Sequence, residues 1–164
     1  MVRYPTYSAV QQPPLLLLNE AAKSFRDVAA TAGDYFLAPH RGRGVALGDI
    51  DADGDPDLVI SHVNEPLALL TNKARDWSGI SLQLIGRRSS RQPTGAIVRL
   101  TIGNRTAVQQ LLGARSYAST SADRLFFGVG EESPSRLEIT WPSGLRQILT
   151  SLPAGKSWTI VEPL

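Results

Sequence analysis

An alternating run of five aspartates constrains the fold of this chain more than any other feature. The run consists of Asp49, Asp51, Asp53, Asp55 and Asp57. Carboxylates this close together repel one another, so a compact loop is favourable only around a cation. Ca²⁺ takes six to eight oxygen ligands in a flexible shell. Gly54 stands at the sixth place of the run, where we expect a sharp turn that leaves no room for a Cβ.

The spacing predicts a calcium loop that joins two β-strands. The predicted ligands are the side chains of Asp49, Asp51, Asp53 and Asp57 and the main-chain carbonyl of Asp55. An EF-hand would need a bidentate Glu at position 12 and flanking helices, whereas position 12 is Ile60. The flanks, residues 44–48 and 58–63, are short and rich in β-branched residues, which favours strands. The alternative is a solvated acidic turn without a metal.

The charge balance and the absence of cysteine exclude several classes of site. Without the five loop aspartates, ten of the 15 acidic residues remain against 17 basic ones. Most of the arginines are scattered along the chain, so we do not expect nucleic-acid binding. With no cysteine, the chain forms no disulfide, zinc–thiolate site or thiol nucleophile.

We expect neither a membrane span nor a signal peptide in the N-terminal region. Its apolar run Leu15–Leu18 is far shorter than the roughly 20 residues of a spanning helix. Arg3 is followed by no apolar segment, and prolines interrupt the region. Calcium loops of modest affinity suit the calcium concentration outside cells. We therefore expect a secreted or cell-surface protein whose signal peptide lies on a longer precursor.

The chain is predicted to be all-β. Leu15–Asn19 and Ser24–Val28 favour a hairpin, and residues 29–33 favour one helical turn. Leu67–Asn72 repeats the pattern of Leu15–Asn19, at a period typical of propeller blades.

The second half of the chain predicts a small antiparallel sandwich or barrel. Two turn signals, Gly103-Asn104 and 142–144, separate strand patterns. The predicted strands are Ile80–Ile85, Ala96–Ile102, Thr106–Leu112, Leu125–Val129, Arg136–Trp141, Arg146–Leu149 and Ser157–Val161.

Two parts of the sequence resemble known families. Residues 42–60 resemble the FG-GAP/VCBS repeat, the calcium-binding blade unit of integrin-type β-propellers, and residues 19–28 resemble the closing part of a preceding blade. Residues 77–148 resemble the ASPIC/UnbV domain. The matching pieces are Trp77, Leu82–Gly86, Gly95–Val98, Phe127–Gly130 and Trp141–Gly144. Propeller repeats followed by an ASPIC/UnbV domain are the domain order of the cartilage-acidic-protein-like family, which this chain resembles.

The resemblance implies a partial β-propeller-like blade with a calcium loop over residues 1–76, followed by a small antiparallel β-sandwich over residues 77–164. It implies a calcium-binding, non-enzymatic extracellular module for adhesion or recognition of a protein or glycan ligand. The family's metal positions carry over onto all five aspartates of the run. Residues 90–94 depart from the family's Asn-Arg-Asp-type turn, which puts any ligand contact there in doubt.

Two alternative functions stay open. Propellers need four or more blades, and this chain has parts of about two, which would leave sheet edges uncovered. Uncovered edges can pair with strands of other chains. The first alternative is therefore a structural subunit that self-assembles into an oligomer or fibre. The second alternative is an accessory module of a polysaccharide-processing enzyme.

Two pairs of titratable residues invite catalytic interpretations. His62 could be a zinc ligand or a general base; His40 is the other histidine of the chain. Glu131 and Glu132 could be a hydrolase acid pair. For His62 we expect an ordinary strand histidine instead. For Glu131 and Glu132 we expect a solvated turn, because the side chains of adjacent residues on a loop point apart.

The arginine cluster and the tryptophans have both functional and structural explanations. The cluster Arg87, Arg88 and Arg91 could bind a carboxylated glycan or an acidic partner, but a solubilising loop is the expectation. Sugar stacking is conceivable for Trp77, Trp141 and Trp158, but core packing is the default for such strand positions.

Overall fold

The computed structural model describes residues 11–20, 23–73, 78–150 and 152–164. These residues form an all-β structure of four small sheets with two short 3-10 helices. The all-β prediction is confirmed. The predicted boundary between residues 76 and 77, and Trp77 itself, lie outside the described residues.

The N-terminal hairpin forms as predicted. Strand β1 (Leu17–Glu20) pairs antiparallel with β2 (Ser24–Asp27). The 3-10 helices Ala29–Thr31 and Asp34–Leu37 follow. The Asp27 carboxylate accepts the Ala29 N–H at 2.9 Å, which satisfies a donor that the helix itself leaves unpaired.

The aspartate run joins two antiparallel strands. Strands β3 (Gly42–Gly48), β4 (Asp57–His62) and β5 (Ala68–Leu70) form one sheet in that order. Gly48 lies opposite Asp57, so the loop closes directly on the sheet.

The C-terminal half consists of two sheets. Their orders are β12–β6–β9 and β11–β10–β7–β8. The strands are β6 (Gly79–Ile85), β7 (Ile97–Ile102), β8 (Arg105–Gln110), β9 (Arg124–Gly128), β10 (Pro134–Thr140), β11 (Arg146–Thr150) and β12 (Lys156–Val161).

One strand pairing departs from the predicted antiparallel sandwich. Strand β12 runs parallel to β6, with Trp158 opposite Leu82. The strictly antiparallel prediction was wrong here. Strands joined by a tight hairpin must be antiparallel, but β6 and β12 are separated by the rest of the domain, so no turn dictates their direction.

Both C-terminal sheets bury their inner faces in one hydrophobic cluster. Leu82 and Leu125 from one sheet and Val98 and Leu137 from the other are fully buried within it. This is the arrangement of a β-sandwich. The predicted alternation of β10 is confirmed, since Leu137 is buried whereas Arg136 is exposed.

The strand predictions in this half are confirmed to within one or two residues at each end. The two predicted turns are also present. Gly103 and Gly144 have φ values of 52° and 86°, a left-handed conformation that glycine adopts without a steric penalty.

The outer edge of β3 contacts the loop between β8 and β9. Ser119 Oγ donates to the Val45 carbonyl at 2.8 Å, and Ser116 Oγ accepts the Val45 N–H at 3.2 Å. Ala122 N–H donates to the Leu47 carbonyl at 2.8 Å. These bonds link the strand that leads into the aspartate run to the C-terminal sandwich.

Within the described residues, no helix has the length and apolar character required to cross a membrane.

Candidate metal centre

Three of the five predicted ligands lie together. One carboxylate oxygen from each of Asp49, Asp51 and Asp57 lies within 4.8 Å of the others. Asp57 is held firmly, because its two oxygens accept the N–H groups of Ile50 and Asn72, each at 2.8 Å. The start of the loop and the segment that follows β5 are thereby fixed to the same carboxylate.

The turn of the loop depends on left-handed backbone conformations. Ala52 and Gly54 have φ values of 62° and 96°. A Cβ built on Gly54 would meet no atom within 4 Å. The expectation that a Cβ would collide there was wrong; glycine is favoured because of its φ, not because space is short.

The two remaining aspartates occupy different environments. Asp53 is exposed, and its Oδ1 accepts the Asp55 N–H at 3.1 Å. The side chain of Asp55 is buried, with 3% of its surface exposed. Neither belongs to the group formed by Asp49, Asp51 and Asp57, so their predicted role as ligands stays a prediction.

The two buried aspartates of the loop have pKa values shifted in opposite directions. Burial, followed by the charges of Asp53, Asp57 and Asp51, raises the pKa of Asp55 to about 6. Burial would also raise the pKa of Asp57, but hydrogen bonds from the backbone N–H groups of Ile50, Asn72 and Asp51, with the charge of Lys73, outweigh burial and lower the pKa below its usual value. Asp57 is therefore held as a carboxylate despite its burial.

The donor set fits a hard divalent cation. The Oδ1 atoms of Asp49 and Asp55 are buried and accept no hydrogen bond from the described residues, which is costly for carboxylate oxygens. Ligands on opposite sides of a calcium ion, each 2.3–2.6 Å away, are about 5 Å apart. The 4.8 Å group formed by Asp49, Asp51 and Asp57 meets that limit, so these three side chains would hold the ion.

A second group of potential ligands lies at the other end of β4. Sequence reasoning named His62 as a possible zinc ligand but did not predict that Glu65 lies beside both histidines. His40, His62 and Glu65 each offer an atom within 4.8 Å of the others. His62 ends β4, as the strand-histidine expectation requires. Gly42 pairs with His62 across the hairpin, so the predicted hairpin brings His40 beside His62.

The other singled-out residues occupy the structural positions expected of them. Glu131 and Glu132 are exposed beyond β9, and the arginine cluster is exposed. Trp141 is buried and Trp158 packs against the core cluster.

Comparison with known proteins finds similarity in both halves of the chain. Residues 86–164 match the family described as ASPIC and UnbV. The chain is 32% identical over 120 residues to cartilage acidic protein 1 of Xenopus tropicalis, covering 68% of this chain and 18% of that protein. It is 27% identical over 137 residues to the Homo sapiens protein of that name, covering 80% and 20%. The chain therefore spans about a fifth of the length of the curated relatives it matches.

Proposed function

Because its C-terminal half carries the ASPIC/UnbV sequence and most of its length is similar to cartilage acidic protein 1, we propose that this chain is a calcium-binding recognition module. We propose further that it is non-enzymatic, belongs to a secreted or cell-surface protein, and binds a protein or a glycan. The FG-GAP/VCBS character of residues 42–60 and the propeller-like role of the first half are parts of this proposal.

The aspartate group at the start of β4 is the observation that carries the proposal. The buried Oδ1 atoms of Asp49 and Asp55 accept no hydrogen bond from the described residues, and a bound cation would stabilise them as carboxylates. The ion would fix the bend between β3 and β4. Because β3 also bonds to the loop between β8 and β9, calcium would stabilise the arrangement of both halves.

Calcium titration by calorimetry tests this proposal. At a hundredfold excess over Kd, bound calcium should stabilise the fold by about 2.7 kcal/mol, which raises Tm by about 5–10 °C for a chain of this length. Asp51→Ala should abolish the heat. Asp53→Ala should reduce it less, since Asp53 is exposed and outside the group.

The matched control is Asp34→Ala, which removes an exposed carboxylate from the second 3-10 helix and should bind calcium as the unchanged chain does. Absence of heat together with an unchanged Tm on chelation would contradict the proposal.

A structural subunit that self-assembles is the second candidate, favoured by the apolar surface of residues 11–73. Ala29 is the only buried hydrophobic residue among those described in this region. Large side chains are exposed there instead, including Leu15, Leu17, Leu18, Phe25, Leu37, Leu67 and Leu69. Such a surface is typical of an interface rather than of a free monomer.

A further inference from the structure

We propose that His40, His62 and Glu65 form a second metal site, which takes a zinc-type transition-metal ion. One potential ligand atom from each lies within 4.8 Å of the others. All three side chains are half-buried. The site lies at the end of β4, whereas Asp57 begins that strand, so the two sites share a strand and no residue.

Backbone carbonyls set the tautomers of both histidines. His40 Nε2 lies 3.0 Å from the Tyr35 carbonyl, and His62 Nδ1 lies 2.7 Å from the Pro66 carbonyl. A carbonyl oxygen only accepts, so these two nitrogens carry the hydrogens. In the neutral rings the lone pairs are therefore on His40 Nδ1 and His62 Nε2. His40 Nδ1 faces Glu65 Oε2, so a metal ion would replace the proton that this hydrogen-bonded pair shares. Histidine ligands of metals are oriented in this way, by donating the other ring N–H to a carbonyl or carboxylate.

Glu65 is oriented as well. Its Oε1 accepts from Gln11 Nε2 at 3.0 Å, and the Arg41 N–H contacts both oxygens at 3.3 Å. Glu65 Oε2 lies 3.3 Å from His40 Nδ1. Two ligands 2.0–2.1 Å from one tetrahedral zinc ion are about 3.3–3.4 Å apart, so this pair already has the required separation.

Tyr35 occupies the remaining lone pair. Its ring stacks on His40, with centroids 4.2 Å apart and planes at 3°. Its hydroxyl lies 2.9 Å from His62 Nε2 and donates to it, because that nitrogen carries no hydrogen. The phenol therefore competes with a metal ion for His62, and it must release this nitrogen when the ion binds.

The ligand types select the class of ion. Two imidazoles and one carboxylate suit zinc and its transition-metal neighbours, whereas Ca²⁺ prefers a shell of oxygens. Three protein ligands leave the fourth tetrahedral position to water. Glu65 and His40 side chains are 18% and 24% exposed, which leaves a path for the ion to enter.

The test is a Zn²⁺ titration of the full chain, free of any histidine tag, in calcium-saturated buffer. Calorimetry should show one equivalent of Zn²⁺, and Co²⁺ in its place should show the visible absorption of a tetrahedral complex. His40→Ala and Glu65→Gln should each weaken Zn²⁺ binding by at least about a hundredfold, since loss of an outer partner alone costs about 10–100-fold. Asp51→Asn should lose calcium and keep zinc.

Tyr35→Phe separates a metal site from a structural hydrogen-bond network. It removes the hydroxyl that competes for His62, so Zn²⁺ should bind at least as tightly as to the unchanged chain. Circular dichroism in chelator checks that each variant folds. If His40→Ala does not fold, Glu65→Gln still tests whether the ion binds at this site. Absence of stoichiometric Zn²⁺ binding, or binding that survives Glu65→Gln unchanged, would overturn the proposal.

Discussion

At the residue scale, the buried carboxylate of Glu162 connects distant parts of the C-terminal half. Glu162, directly after β12, is 1% exposed. Its Oε2 accepts the N–H groups of Arg87, Arg88 and Ser89 at 2.9, 2.9 and 2.7 Å. Its Oε1 accepts the hydroxyl of Ser143 at 2.5 Å. One side chain thus anchors the loop after β6 and the turn after β10.

These bonds make the stability of the fold depend on the ionisation of Glu162. Burial alone would raise its pKa, but the bonds from Ser143, Ser89 and Arg87 outweigh burial and lower the pKa to about 2 from 4.5. The unfolded chain therefore binds the proton more readily. The stabilisation is fully present above pH 4.5 and is lost as the pH falls towards about 2.

Glu162→Gln should destabilise the fold by about 2–4 kcal/mol near neutral pH, because an amide NH₂ would face N–H donors in a buried position. It should also flatten the fall in stability between pH 5 and pH 3, since this titration is removed. Urea unfolding across that range measures both effects. Glu132→Gln, at an exposed carboxylate, is the control. An acid profile that Glu162→Gln leaves unchanged would refute this role.

At the element scale, close approach between β3 and the loop from β8 to β9 connects the two halves. A Cβ on Gly44 would collide with the Tyr117 carbonyl oxygen and would lie 3.1 Å from Ser61 Oγ and 3.2 Å from Ser119 Cβ. The backbone cannot yield as a flexible side chain would. Glycine is therefore required at this position by space, unlike Gly54, where φ requires it.

Gly44→Ala should cost about 1–3 kcal/mol, the usual range for forcing a group into a filled space. Gly48→Ala is the matched control in the same strand, because its Cβ would make ordinary contact with Ala122 Cβ at 3.6 Å. Urea unfolding in chelator, which removes any contribution of calcium, compares the two variants. Equal stability of the two variants would show that β3 does not depend on this contact.

At the scale of the whole molecule, buried apolar surface is distributed unequally. The hydrophobic cluster consists of residues between Ile80 and Ile160, whereas β1 and β2 are exposed along their whole length. The chain spans about a fifth of its curated relatives. The apolar surface of the first half is thus available to further sequence of a longer protein or to a second copy of this chain.

If copies cover one another, light scattering across a dilution series should show an oligomer that dissociates on dilution. Leu17→Ser and Phe25→Ser should shift the equilibrium towards monomer, because each removes exposed apolar area from the first half. Val108→Ser is the control, since Val108 is similarly exposed on β8 of the sandwich. A monomer at every concentration would rule out self-assembly.

The sequence alone determined the local features. Strand positions follow from alternation of apolar and polar residues, and turns follow from Gly103 and Gly144, whose conformations are encoded within a few residues. The aspartate run likewise indicated a strand–loop–strand unit, which the structure confirms over β3 and β4. All of these depend on neighbours in the chain.

Tertiary structure decided what depends on residues far apart in the chain. The parallel pairing of β12 with β6, the anchoring of three backbone N–H groups by Glu162 and the grouping of His40 with Glu65 have no local signature. Each arises from which strands lie side by side, and that choice is made by the packing of the whole chain rather than by any short stretch of it.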